Sequence, residues 1–60
     1  MGKTVEMFNV LAGVTLSEQD GWMFMAILKM VRSQQGIFNR DNYEDGAAYF
    51  SLAGEAADEG

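Results

Sequence analysis

A run of seven apolar residues at positions 22–28 constrains the fold of this chain more than any other feature. Helix start and stop signals flank the run, so we expect a helix that is apolar on all of its sides here. A helix of that kind is covered on more than one side, and a chain of 60 residues has too few other elements to cover it. The sequence therefore predicts a homo-oligomer or a protein partner. The predicted interface residues are Trp22, Met23, Phe24, Ile27, Met30 and Phe50.

The spacing of apolar residues predicts a single all-α domain over residues 1–60. A short helix at 4–12 is followed by helices at 16–34 and 40–57, which we expect to form an antiparallel hairpin. The second helix is bulky and the third is rich in alanine and glycine, so the two can pack closely. We expect oligomerisation to complete this fold, and a two-fold dimer is the commonest form of assembly.

Capping residues and glycines set the predicted helix boundaries. Thr4 is the predicted N-cap of the first helix, and Gly13 ends that helix because glycine readily adopts the conformation of a C-cap. Thr15 and Glu18 form a predicted capping box at the start of the second helix, which Gly36 ends. The third helix is predicted to start near an asparagine and an aspartate at 39–41. The side of the first helix that we expect to dock comprises Val5, Phe8, Leu11 and Ala12.

Composition and charge exclude several classes of function. The chain contains no cysteine and no histidine, which excludes disulfides, thiolate metal sites and the common histidine-based catalytic arrangements. A net charge of −5 argues against direct nucleic-acid binding, and it permits binding to a basic protein surface. No apolar run approaches the roughly 20 residues that span a bilayer, so we expect no membrane association. The lack of cysteine favours a cytoplasmic location.

Oppositely charged residues cluster around the predicted hairpin turn. If the hairpin folds about Ile37, Lys29 comes opposite Asp45 and Arg32 comes opposite Asp41. We interpret these four charged residues as a structural salt-bridge seam that fixes the register of the two helices. Exposed pairs of this kind contribute only about 0–1 kcal/mol each to stability.

The cations near the turn also permit a different interpretation, a phosphate or nucleotide site. Backbone N–H groups at the start of the third helix would support such a site. The candidate ligand-binding residues are Lys29, Arg32 and Arg40, and under this alternative magnesium would bind Asp41, Glu44 and Asp45. All-helical nucleotide pyrophosphohydrolases carry the paired motifs E-x-x-E and E-x-x-D, and the acidic residues here form neither motif. We therefore assign no catalytic residue, no metal ligand and no cofactor.

Three stretches that follow Thr15 carry a family resemblance. They are Leu-Ser-Glu-Gln-Asp at 16–20, Leu-Lys-Met-Val-Arg at 28–32 and Asp-Asn-Tyr-Glu-Asp-Gly-Ala-Ala-Tyr at 41–49. In these stretches the chain resembles the C-terminal half of a family of small phage and prophage proteins, classed as a domain of unknown function, with motifs L-[ST]-x-E-D, L-K-x-x-R and D-N-x-x-D-x-A-G-Y. Ala48 replaces the usual glycine, and the longer N-terminal half of the family has no counterpart here. The resemblance implies a helical fold and a phage context.

Together these features favour a binding role over catalysis. We expect a small phage-type accessory protein that binds a host protein, for instance a defence or regulatory factor, through its acidic surface and apolar patches. The alternative is a nucleotide-binding protein, which either sequesters a phosphate-bearing signal or hydrolyses a nucleotide with magnesium.

Overall fold

The structure, a computed structural model, describes residues 1–59 and contains three helices and no strand within them. The helices are α1 (Gly2–Ala12), α2 (Glu18–Ser33) and α3 (Arg40–Glu59). This architecture confirms the predicted all-α class and the helical hairpin, which α2 and α3 form. Each helix begins and ends within two residues of its predicted position.

The start of α1 differs from the prediction. Thr4 does not cap the helix but lies inside it, and Met1 is the N-cap residue, with no side-chain hydrogen bond. The first turn is ordered by tertiary contact, because Met1 and Val5 both pack directly over Gly21 of α2. At the other end the prediction is confirmed, since Gly13 adopts the left-handed conformation with φ of 67° and its N–H donates to the Asn9 carbonyl oxygen at 2.9 Å.

The capping box of α2 lies two residues later than predicted. Ser17 and Asp20, rather than Thr15 and Glu18, form the reciprocal pair: the Asp20 N–H donates to Ser17 Oγ at 3.1 Å, and the Ser17 N–H donates to Asp20 Oδ2 at 2.9 Å. The reason lies in α1. The Asn9 side chain holds the backbone of residue 16 outside the helix, so α2 cannot begin there.

Residues 34–39 form the turn between α2 and α3. Gly36 has φ of 71°, a left-handed conformation that glycine adopts without steric cost. The Asn39 Oδ1 atom accepts a hydrogen bond from the Asp41 N–H at 3.0 Å, so α3 starts where the sequence predicts. Phe38 stacks on Tyr43 with ring centroids 5.6 Å apart, which ties the turn to the first part of α3.

Helix α2 is the centre of the fold, since it contacts both other helices and α1 does not contact α3. The hairpin packs through small residues, with Ala26 facing α3 and Ala53 facing α2, and both are buried. Val5 is the third buried apolar residue of the described chain. A core of this size is small for a folded domain, and most large apolar side chains lie at the surface.

Candidate functional site

An apolar area lies on the side of α2 that α3 does not cover. Four of its residues follow the spacing i, i+3, i+4 and i+7, which places them on one side of the helix. Their neighbours on α2 and α3 extend the area, and the members are between 38% and 66% exposed. We call this area the open face and define it by Phe24, Ile27, Leu28, Met30, Val31 and Phe50.

The open face includes four of the six predicted interface residues, and the other two lie elsewhere. Met23 is half-buried beside the hairpin contact. Trp22 is also half-buried, because its ring stacks on Tyr49 of α3 with a centroid distance of 5.9 Å. Trp22 therefore contributes to packing within one chain, and it offers less surface to a partner than the sequence pattern indicates.

A hollow beside the open face extends the apolar area onto α3. It has a volume of about 300 Å³ and lies between α2 and α3. No charged side chain lines it, and its aromatic walls come from Tyr43 and Phe50. A side chain from another molecule can therefore enter the hollow without displacing an ion pair.

A second apolar area lies on α1, where it was not predicted. Of the four residues expected to dock, Val5 alone is buried, while Phe8 and Leu11 are exposed. The correction has a steric cause: α1 rests on α2 where Val5 and Met1 pack over Gly21, so Val5 is the α1 residue that this contact buries. The apolar residues on the opposite side of α1, together with Val14 after the C-cap glycine, are between 41% and 85% exposed. We call this opposite side the α1 surface and define it by Met7, Val10, Leu11 and Val14.

The charged residues near the turn form one of the two predicted interhelical pairs. Lys29 Nζ lies 3.1 Å from Asp45 Oδ2, and the Lys29 side chain is largely buried by this contact. Arg32 and Asp41 do not pair, contrary to the prediction. Arg32 follows Lys29 by three residues, which in an α-helix places its side chain about 60° around the helix from that of Lys29. This rotation carries the Arg32 guanidinium away from the hairpin contact.

The candidate ligand-binding cations do not converge on one point. Lys29 is held by Asp45, and Arg40 Nε lies 3.6 Å from Glu44 Oε1, one turn along α3. A phosphate would therefore compete with a carboxylate at two of the three cations. Among residues 1–59 no three acidic side chains come close enough to hold a metal ion, so the carboxylates of α3 at 41, 44 and 45 do not form a cluster.

We expect the Lys29–Asp45 pair to show a measurable coupling and Arg32–Asp41 to show none. Alanine double-mutant cycles separate the two pairs, with a coupling of about 0.5–1 kcal/mol for the first, because Asp45 is half exposed and its charge is partly screened. Urea unfolding of the four single and two double variants provides the measurement. Zero coupling for Lys29–Asp45 would show that the seam does not fix the register, whereas equal coupling for both pairs would contradict the geometry described here.

Comparison with known proteins places the chain in a family. Across residues 1–59 no helix combines the length and the apolar character required to cross a membrane. No curated protein and no solved structure matches the chain. A family model described as a domain of unknown function, DUF6378, matches residues 2–57, which takes in α1 as well as the hairpin. Because this match covers nearly all of the sequence, the chain belongs to the DUF6378 family of domains of unknown function.

Proposed function

We propose that this domain acts by binding another protein, as a phage-type accessory protein that engages a host factor. The observation that carries the proposal is the α1 surface, a set of large apolar side chains that no other part of the described chain covers. The phage setting and the host partner come from the motif resemblance and form part of the proposal.

The geometry of the α1 surface indicates how a partner would be bound. Met7, Val10 and Leu11 follow the spacing i, i+3 and i+4 on one side of an 11-residue helix. Amphipathic helices with anchors at this spacing dock into hydrophobic grooves of their partners. An isolated helix of this length is marginal in water, so burial of these anchors would also stabilise α1. We therefore infer that α1 lies in an apolar groove of the partner.

The overall charge supports a partner with a basic surface around that groove. The chain carries nine acidic and four basic residues, a net charge of −5. Complementary charge at the rim of an interface accelerates association and discriminates between partners. A host factor with a basic surface, such as one that handles nucleic acid, fits this requirement.

Substitution of Leu11 by aspartate tests the proposal. The full chain is immobilised, bacterial lysate is passed over it, and each retained protein is identified, purified and titrated by calorimetry. We expect one of them to bind with a fixed stoichiometry, and Leu11→Asp to weaken that binding at least tenfold, because an unpaired carboxylate is costly to bury. Ser51→Asp is the matched control, since it adds the same charge at an exposed position of α3, and it should leave the affinity unchanged.

Two results would contradict the proposal. One is that no retained protein binds saturably, or that Leu11→Asp and Ser51→Asp have the same effect. The other comes from a thermal-shift screen against nucleotides and cyclic dinucleotides, with and without magnesium. A melting temperature that rises with nucleotide concentration would favour the alternative, nucleotide-binding function, because a ligand that binds the folded state stabilises it.

A further inference from the structure

We infer that the open face is covered by a second copy of this chain, through antiparallel packing of α2 on α2 about a two-fold axis. This inference goes beyond the proposed function and uses a different surface, since the α1 surface lies on another helix. In the resulting assembly the two α2 helices lie at the centre, and each is flanked on its other side by α3 of its own chain. Helix α1 of each copy borders the interface at Phe24.

The accessible area of the chain is the first argument. The single chain exposes 4752 Å², whereas a compact monomer of 6.6 kDa exposes about 3,900 Å². The excess is about 900 Å², which the open face and the α1 surface share, and a stable interface of standard size buries roughly 800 Å² on each partner. The radius of gyration agrees, at 12.7 Å against about 10.4 Å for a compact domain of 60 residues.

The small core is the second argument. Val5, Ala26 and Ala53 are the buried apolar residues of the described chain, and no disulfide supplements them. Domains are built from packed layers that cover one another's apolar sides, and the hairpin here has no layer over its open face. A second copy supplies that layer with the same residue types, so no further chemistry is needed to explain its fit.

The open face is complementary to itself in an antiparallel arrangement. Its stripe at 24, 27, 28 and 31 has its midpoint between Ile27 and Leu28. A two-fold axis through that point places Phe24 of one copy opposite Val31 of the other, and Ile27 opposite Leu28. Each large side chain then meets a smaller or equal one, which is the pattern of an isologous interface.

The distribution of charge along α2 favours the antiparallel direction. Glu18 and Asp20 lie in its first turn, and Arg32 lies in its last turn. Antiparallel packing brings the acidic end of each helix to the basic end of the other, whereas parallel packing brings like charges together. Arg32, which forms no ion pair within residues 1–59, then lies near the acidic end of the second α2.

Sedimentation equilibrium of the full chain and of Ile27→Asp is the first test. We expect the mass of two chains at micromolar concentration, and a dissociation constant at least tenfold higher for Ile27→Asp. Ser51→Asp, with the same added charge on the outer side of α3, should keep the mass of two chains. A folded monomer at 100 μM in the unsubstituted chain would overturn the inference.

Single-cysteine variants test the direction of packing without a destabilising charge, because the natural chain has no cysteine. An oxidised mixture of Phe24→Cys and Val31→Cys should yield mainly the mixed disulfide, and each variant alone should cross-link poorly. Preferential cross-linking of each variant with itself would establish parallel packing. No cross-linking in a two-chain species would place the interface elsewhere. Both results overturn the inference.

Leu11→Asp should retain the two-chain mass, because Leu11 belongs to the α1 surface and not to the open face. Failure of the dimer and failure of partner binding therefore give different results.

Discussion

Replacing Gly21 by alanine should destabilise this domain by about 1–2 kcal/mol, although the same replacement stabilises most helices. An ideal Cβ atom on Gly21 would lie 2.6 Å from Val5 Cγ2 and 2.5 Å from Met1 Sδ, both well inside contact distance. The methionine can move, but valine on a helix has one strongly preferred rotamer. The clash is therefore relieved only if α1 moves away from α2, which exposes Val5.

Gly54→Ala is the matched control for this prediction. A Cβ atom at Gly54 meets nothing within 4 Å, so the substitution should raise the free energy of unfolding by about 0.5–1 kcal/mol through its effect on helix propensity. Urea unfolding followed by circular dichroism, at one fixed protein concentration, compares the two variants. Equal stabilisation by both alanines would show that α1 does not rest on Gly21. Combining Gly21→Ala with Val5→Ala should restore part of the loss, because the smaller side chain makes room for the new methyl group.

Replacing Asn9 by alanine should cost about 2 kcal/mol, the second large effect that we expect. The Asn9 side chain donates from Nδ2 to the Leu16 carbonyl oxygen and accepts at Oδ1 from the Leu16 N–H, both at 2.9 Å. Each hydrogen bond contributes about 0.5–1.5 kcal/mol, and the two act together. They hold the end of α1 close to the residues before α2. Their loss therefore releases both the connecting segment and the position at which α2 begins.

Asn9→Asp removes only the hydrogen bond that the Asn9 side chain donates. The aspartate has the same shape as asparagine and keeps the oxygen that accepts from the Leu16 N–H. At neutral pH its second oxygen would face the Leu16 carbonyl oxygen, so we expect a loss comparable to that of Asn9→Ala. Gln35→Ala is the control, because no hydrogen bond of the Gln35 side chain occurs within the described residues. Unchanged stability in both Asn9 variants, measured by urea unfolding, would mean that the two hydrogen bonds between Asn9 and Leu16 contribute nothing to stability.

Local signals predicted the three helices, because their boundaries depend on residues next to them. Gly13 does adopt the left-handed backbone that stops a helix, and the Asn39 side chain does bond the first turn of α3. Gly36 is also left-handed, but it lies in the turn, and α2 ends before it with Gln34 as the C-cap residue. The predicted capping box of Thr15 and Glu18 was wrong, because Ser17 and Asp20 form the reciprocal pair instead. The side chain that decides between them, Asn9, acts across seven residues of sequence.

The candidate surfaces were predictable only in part, for a related reason. The apolar run at 22–28 indicates that α2 has more apolar surface than one chain can cover, but not which side α3 takes. Tyr49 draws Trp22 into the hairpin, which leaves Phe24 and Ile27 outside. On α1, periodicity identifies an apolar helix, but the contact over Gly21 determines that Val5 is its buried residue.

Helix α1 contacts α2 and not α3, so most of its surface takes no part in holding the fold together. Met7, Val10 and Leu11 lie on the side of α1 that faces away from Gly21, so changes at these positions leave the α1–α2 contact and the hairpin intact. If α1 binds a partner as proposed, substitutions there alter recognition without compensating changes in the packing of α1 on α2. Under that proposal, the residues that would contact a partner and the residues that hold the fold together are separate sets, so the two can diverge at different rates.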